Sequence, residues 1–259
     1  MNISFINSFR SEWLKRKRSA SSWLVIIGAF FIPLILLIAQ FVNHETIALQ
    51  NTLPNYWEFF FRINWESMAM FLLPMGIVLS TSMTAQIEYK NNTWKQVMTT
   101  PQLYSTIFFS KFMVILAMMV QFFILFNIGI YLSAIIPALI LSDVPFPQAS
   151  YPFLMMLEIT GKAFVACLPI MALQFLLSLH FRNFMVSVGI GLVMIIGSIM
   201  ALSWTYGYLV PYTYSAYNFL MSSGEPMETA VSIYLMSVIY FVGFTAVNFL
   251  LYLNKAEKG

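Results

Sequence analysis

Apolar residues in this chain fall in long unbroken runs, not in the alternating or one-in-three patterns of water-soluble elements. Six runs, 23–42, 67–85, 112–133, 153–179, 184–203 and 229–253, are each about the 20 residues a helix needs to cross the hydrocarbon layer of a bilayer. None shows the alternation of a lipid-facing β-barrel strand. A helix satisfies its own backbone groups in lipid, so the predicted fold is an all-α integral membrane bundle of six transmembrane helices. Residues 2–18 form a separate element. Phe5, Ile6, Phe9 and Trp13 fall on one side of a helical wheel, and Asn7, Ser8, Ser11, Glu12 and Lys15 on the other. That pattern predicts an N-terminal amphipathic helix lying in the membrane interface, apolar face down.

Composition agrees with lipid as the solvent. Sixty per cent of the 259 residues are apolar and 9 % are charged, against about 25 % charged in a soluble domain. The length fits one domain, 1–259. The net charge of +3 is small, and its placement carries the information. With the N-terminus inside, the cytoplasmic segments hold eleven of the thirteen basic residues: Arg10, Lys15, Arg16, Lys17, Arg18, Lys90, Lys95, Lys111, Arg182, Lys255 and Lys258. The positive-inside rule therefore predicts a plasma-membrane protein with both termini in the cytoplasm. No nucleic-acid partner is expected. Lys15 to Arg18 precede an apolar run too long for a signal peptide and without a cleavage site, which reads as a retained first span. The single cysteine, Cys167, sits in an apolar run and reads as a buried structural thiol.

Two outer segments are not simple loops. Residues 134–152 carry Pro137, Pro145, Pro147 and Pro152. Residues 204–228 hold Trp204, Tyr206, Tyr208, Tyr212, Tyr214, Tyr217 and Phe219 around Pro211. The second is too aromatic for a solvated loop and is predicted to re-enter the outer leaflet.

Enzymatic chemistry is missing from the sequence. There is no phosphate-binding G-x-x-x-x-G-K-[ST] loop. His44 and His180 are predicted on opposite sides of the membrane, so they cannot share a metal. No catalytic triad can be assembled on one side. One charged pair, Glu158 and Lys162, falls within a span at i and i+4, in the favourable order. It reads either as a self-neutralised structural pair or as part of an ion path.

The cytoplasmic segment 86–111, between spans two and three, is longer than a helical hairpin needs. Asn92 or Thr93 can cap a short helix that presents Trp94, Val97 and Met98 on one face and ends before Pro101. Such an apolar knob lies on the membrane or docks into a partner.

The order E-x-x-x-N-T-W-x-x-x-x-x-x-P in this segment resembles the permeases of ABC-2-type ABC transporters, although many of these carry Gly where Asn92 stands. The N-T-W form and the small size look like permease subunits of bacterial export systems, including those giving immunity to lantibiotic-type peptides. The resemblance implies that Asn92, Thr93, Trp94, Lys95, Val97 and Met98 form a coupling helix ended by Thr100 and Pro101. Glu88 would bond the N-terminal elements or a partner. It further implies a separate ABC ATPase subunit that holds ATP and Mg, and a second permease as homo- or heterodimer partner. This chain would itself be a transport subunit and no enzyme. The substrate expected is a hydrophobic or amphipathic peptide, lipid or drug. The alternative is a secondary transporter or channel-like protein without an ATPase.

Overall fold

The computed structural model describes residues 3–17, 19–87, 102–181, 183–222 and 232–256, and the regular elements among them are all helical. These are α1 (Ile3–Lys17), α2 (Ala20–Val42), α3 (His44–Gln50), α4 (Tyr56–Ala69), α5 (Leu72–Ala85), α6 (Tyr104–Ile140), α7 (Phe153–His180) and α8 (Phe184–Ala201). Two single 3-10 turns follow, Gly207–Leu209 and Pro211–Thr213, then α9 (Tyr214–Ser222) and α10 (Ile233–Ala256). Among the described residues, α2, α6, α7, α8 and α10 are long and apolar enough to cross a membrane, and the bent pair α4 and α5 supplies a sixth crossing if taken as one span. The protein is an all-α, multi-pass integral membrane protein.

α6 and α7 form the centre. α6 packs against α1 and α2, and α7 against α5 and α10, with α8 leaning on α5. The outward faces of the peripheral helices expose Trp23, Ile27 and Ile38 on α2, Val193 and Met200 on α8, and Leu235 and Leu250 on α10. Water would not tolerate so much contiguous apolar surface, and lipid does. Side-chain ties fix the two ends of the bundle. At one end Ser8 of α1 meets Ser110 of α6, Thr84 of α5 meets Met118 of α6, and Gln86 reaches the carbonyl of Phe181. This is called the basic end, after Lys15, Arg16, Lys17 and Lys111. At the opposite end His44 meets Asp143, and the Asn51 amide donates to the carbonyl of Pro145.

The second span differs from the single helix expected over 67–85. It is broken at Met70 and Phe71, where α4 and α5 meet at 52°. Pro74 stands in the first turn of α5. There its ring would strike the carbonyl of residue 70 in a continuous helix, so the chain must restart. α4 was expected as outer loop. It is helical because Tyr56, Trp57, Phe60, Phe61 and Trp65 are all buried along one side of it. The Trp57 ring stacks on Tyr131, its Nε1 donates to the carbonyl of Ala149 at 3.0 Å, and Trp65 packs edge-on against Phe126. Arg62 and Glu66 pair on the outer face.

α6 is longer than its apolar run at both ends. It begins at Tyr104, so Lys111, expected in the cytoplasmic connection, is helical and only 3 % exposed. It continues to Ile140 with Pro137 in its last turn, which shortens the expected outer segment to 141–152.

α1 packs on the bundle through its polar side. Ser8, Glu12 and Arg16 are its buried positions, while Leu14 is 64 % exposed. The reason is polar matching: Ser8 bonds Ser110, Glu12 pairs with Lys111, and Arg16 donates to Ser22 and Gln121. Phe9 and Trp13 are only partly buried, against Val25, Val114 and Met118. Arg16 also lies 4.0 Å over the Trp13 ring, and burial lowers the pKa of its guanidinium from the usual value. Partners at 110, 111 and 121 show that α1 runs alongside α6 for about three turns.

Candidate functional site

The sequence placed its functional residues in the connection between α5 and α6. Glu88, Asn92, Thr93, Trp94, Lys95, Val97, Met98, Thr100 and Pro101 lie outside the described residues. What the structure gives is the frame that holds this connection. On the α5 side, the Gln86 amide Nε2 donates to two carbonyls of α7 and its end, Ser178 at 3.3 Å and Phe181 at 2.9 Å. Gln86 is buried, and so is Ala85 before it. On the α6 side, Ser110 and Lys111 are tied to Ser8 and Glu12 of α1. Glu12 also pairs with Lys15. Both ends of the connection are therefore fastened to other helices by groups that have left water. In a low-dielectric setting such paired groups hold position firmly.

Directly above Gln86 sits a buried polar cluster. Gln174 of α7 donates to the Ser82 Oγ at 2.7 Å and to the Ser187 Oγ and carbonyl, each at 3.0 Å. Ser178 bonds Ser82 and Ser187. Ser82, Gln174, Ser178 and Ser187 are each 0 % exposed. The cluster locks α5, α7 and α8 together, and Gly191 makes it possible. A Cβ there would fall 2.7 Å from the Gln174 Oε1 and 2.7 Å from a Val78 methyl.

The aromatic segment after α8 reaches this cluster from the opposite end. The Tyr212 hydroxyl donates to the Gln174 Oε1 at 3.4 Å. Gln174 stands six residues from the end of α7, or about 9 Å from the basic end. The segment thus packs back against the interior of the bundle. Tyr212, Tyr214 and Tyr217 are buried, whereas Trp204 and Tyr206 stay exposed. Internal bonds close the turn: Tyr214 to the carbonyl of Tyr208, Thr213 to that of Gly207, and Tyr240 of α10 to that of Leu209. Gly207 lies against the Ala201 carbonyl and the Tyr217 hydroxyl, with no room for a side chain.

Glu158 and Lys162 do pair on α7, but on its exposed surface, away from the buried cluster. His44 and His180 sit at opposite ends of the bundle, and among the described residues no group of His, Cys, Asp or Glu could hold a metal ion. Cys167 is buried.

The profile of one family, described as ABC-2 family transporter protein, matches residues 8–198. The chain belongs to this family. The match runs from α1 through most of α8, so it contains the framed connection and the Gln174 cluster. It ends before the re-entrant segment and α10. No curated protein and no solved structure gives a significant match. Membership makes this ABC-2 chain a membrane-spanning component of an ABC transporter, a kind that works with an ABC ATPase.

Sequence reasoning missed the cluster in this ABC-2 chain. A signal was present: Gln174 is a lone amide within an apolar run, where it must find partners. Ser178 stands one turn after it, and Ser82 and Gln86 repeat the same i, i+4 spacing on α5.

Proposed function

We propose that this ABC-2 chain is the permease subunit of an ATP-driven exporter whose ATPase docks on the connection between α5 and α6. The observation that supports this most directly is the fastening of both ends of that connection, by Gln86 to α7 and by Ser110 and Lys111 to α1. A force on Trp94 and its neighbours would pass into α5 and α6 along stiff helices, and into α7 and α8 through Gln86, Ser178 and Gln174. Packed interfaces of this kind switch between discrete arrangements and do not deform smoothly, so a push at one end becomes a rigid-body shift. Trp94 is the anchor of the dock, with Asn92, Thr93, Val97 and Met98 shaping the helix that carries it. Lys95 lies on the rim, and Thr100 and Pro101 end the helix. Glu88 bonds the N-terminal elements or the ATPase. ATP and Mg belong to the ATPase, and this chain holds neither.

The substrate proposed is hydrophobic or amphipathic, a peptide, lipid or drug. Two permeases, identical or sister chains, would enclose its path. Both chain termini are placed in the cytoplasm. The test is co-purification in detergent with the ATPase of the same transport system, followed by ATPase assay in lipid. Capture of an ATPase that Trp94→Ala releases is the expected result. A chain that drives transport with no ATPase bound would overturn the reading in favour of a secondary transporter.

A further inference from the structure

A cavity of about 260 Å³ lies among α2, α5 and α6, beside the break between α4 and α5. Its wall is almost wholly apolar and rich in methionine: Met68, Met75, Met118, Met119 and Met171 all line it. Thioether side chains are unbranched and polarizable, and they adapt to flexible apolar guests. A smaller apolar cavity, of about 150 Å³, stays dry and takes up benzene. Water is therefore a poor occupant here and hydrocarbon a good one.

Two features say which hydrocarbon. The cavity reaches the bundle surface, since Ile27 and Phe31 of α2 line it and are 60 % and 47 % exposed on the lipid-facing side. Its lining is also ordered by polarity. Leu72 and Met68 stand at the elbow. About 13 Å nearer the basic end along α5 come Ser80 and Thr81. The Thr81 hydroxyl is fully buried and makes no hydrogen bond to any described residue. A buried hydroxyl without a partner is costly, so an acceptor arriving beside it is stabilised. A guest with an apolar tail and an acceptor at its end, oriented like a lipid of the leaflet at the basic end, meets both conditions.

We propose that this cavity binds one acyl chain of a membrane phospholipid, entering between α2 and α5, with its ester end at Ser80 and Thr81 and its tail at the elbow. The bound chain then props α5 against α2 and holds the angle between α4 and α5. This site is distinct from the ATPase dock and from a substrate path between two permeases.

The test uses the full-length chain in nanodiscs that contain a phospholipid with a photoreactive diazirine at the end of one acyl tail. After irradiation, adducts are located by peptide mass spectrometry. Adducts are expected on Met68, Leu72 and Met75, and a diazirine placed near the ester should move them to Ser80, Thr81 and Leu24. A Cβ at Gly76, which lines the cavity, meets no atom within 4 Å. Gly76→Leu should therefore fill the space without unfolding the bundle. It should cut the internal adducts about tenfold, the effect of 1.4 kcal/mol, and leave adducts on exposed Ile38 and Val193 unchanged. Labelling confined to the exposed faces would overturn the proposal, as would adducts that do not move with the diazirine. A free fatty acid with the same tail that labels the cavity when the phospholipid does not would overturn it too.

Discussion

The amide of Gln174 donates to the hydroxyl of Ser82 at 2.7 Å, fastening α7 to α5 in the middle of an otherwise apolar bundle. Interhelical hydrogen bonds in membranes are worth about 0.6 kcal/mol on average, and at most about 1.7. Gln174 also serves Ser187. Gln174→Leu should therefore cost about 1–3 kcal/mol, because it leaves buried groups short of a partner.

Gly191 offers an independent check on the same contact. Gly191→Ala places a methyl 2.7 Å from the Gln174 Oε1, and overpacking of this kind costs about 1–3 kcal/mol. Gly197 on the same helix has no atom within 4 Å of an added Cβ. Gly197→Ala should be neutral or stabilising by a few tenths of a kcal/mol, since Ala is the better helix former. Thermal unfolding in detergent compares the two. Equal melting temperatures would mean that α8 does not pack closely on Gln174.

Two ion pairs should behave oppositely. Glu12 and Lys111 lie 3.5 Å apart with side chains 9 % and 4 % exposed, whereas Glu158 and Lys162 are 62 % and 45 % exposed. Glu12→Gln takes a charge partner from a buried ammonium and should destabilise by about 2 kcal/mol or more. Replacing both Glu158 and Lys162 by Gln should cost less than about 0.5 kcal/mol and leave transport unaltered. Thermal unfolding tests the first pair, and transport assays in proteoliposomes test both. Loss of transport in the Glu158, Lys162 double variant would put that pair in the translocation path.

How much of this was legible follows from range. The all-α membrane-spanning character is written in local composition, and the structure agrees with it. The elbow at Met70 was half legible. Pro74 announces a disturbance, but whether it kinks or breaks the helix depends on the aromatic packing of Tyr56, Trp57 and Trp65 against α6 and the segments beyond it. The face that α1 buries was illegible for the same reason. Its wheel shows an apolar side, while the partners that hold its polar side to the bundle, Lys111 and Gln121, lie about a hundred residues away. A polar residue facing a polar partner leaves no periodic trace of its own.

Topology can be read with single cysteines in a Cys167→Ala background. Asn51 is fully buried and bonded to Pro145, so it is a poor reporter. Asp143, on the exposed turn after α6, is a better one, and Asn183 before α8 is exposed at the basic end. Asp143→Cys should label from outside intact cells and Asn183→Cys only after permeabilisation. The reverse pattern would invert the bundle and place the basic end outside, against the distribution of Lys and Arg.

Gln86 and Trp94 separate docking from transmission. Gln86 is buried and holds the end of α5 to the carbonyls of Ser178 and Phe181. Trp94 lies in the middle of the connection, where a buried aromatic anchor would contribute about 2 kcal/mol or more to docking. Trp94→Ala should weaken ATPase binding about thirtyfold, and Lys95→Ala should change mainly its rate and salt dependence. Gln86→Leu should leave binding within about twofold, because it alters no docking surface, yet lower substrate-stimulated ATP turnover about tenfold as α5 loses its grip on α7. Glu88→Gln, two residues further along the chain, should resemble Gln86→Leu more than Trp94→Ala. Pull-down of the ATPase by purified variants measures the first effect, and ATPase assay in proteoliposomes the second. If Gln86→Leu and Trp94→Ala lose binding in parallel, the frame and the dock are one structure. If Gln86→Leu changes neither quantity, the hydrogen bonds at the end of α5 carry no force, and transmission must run through α6 and its contacts with α1.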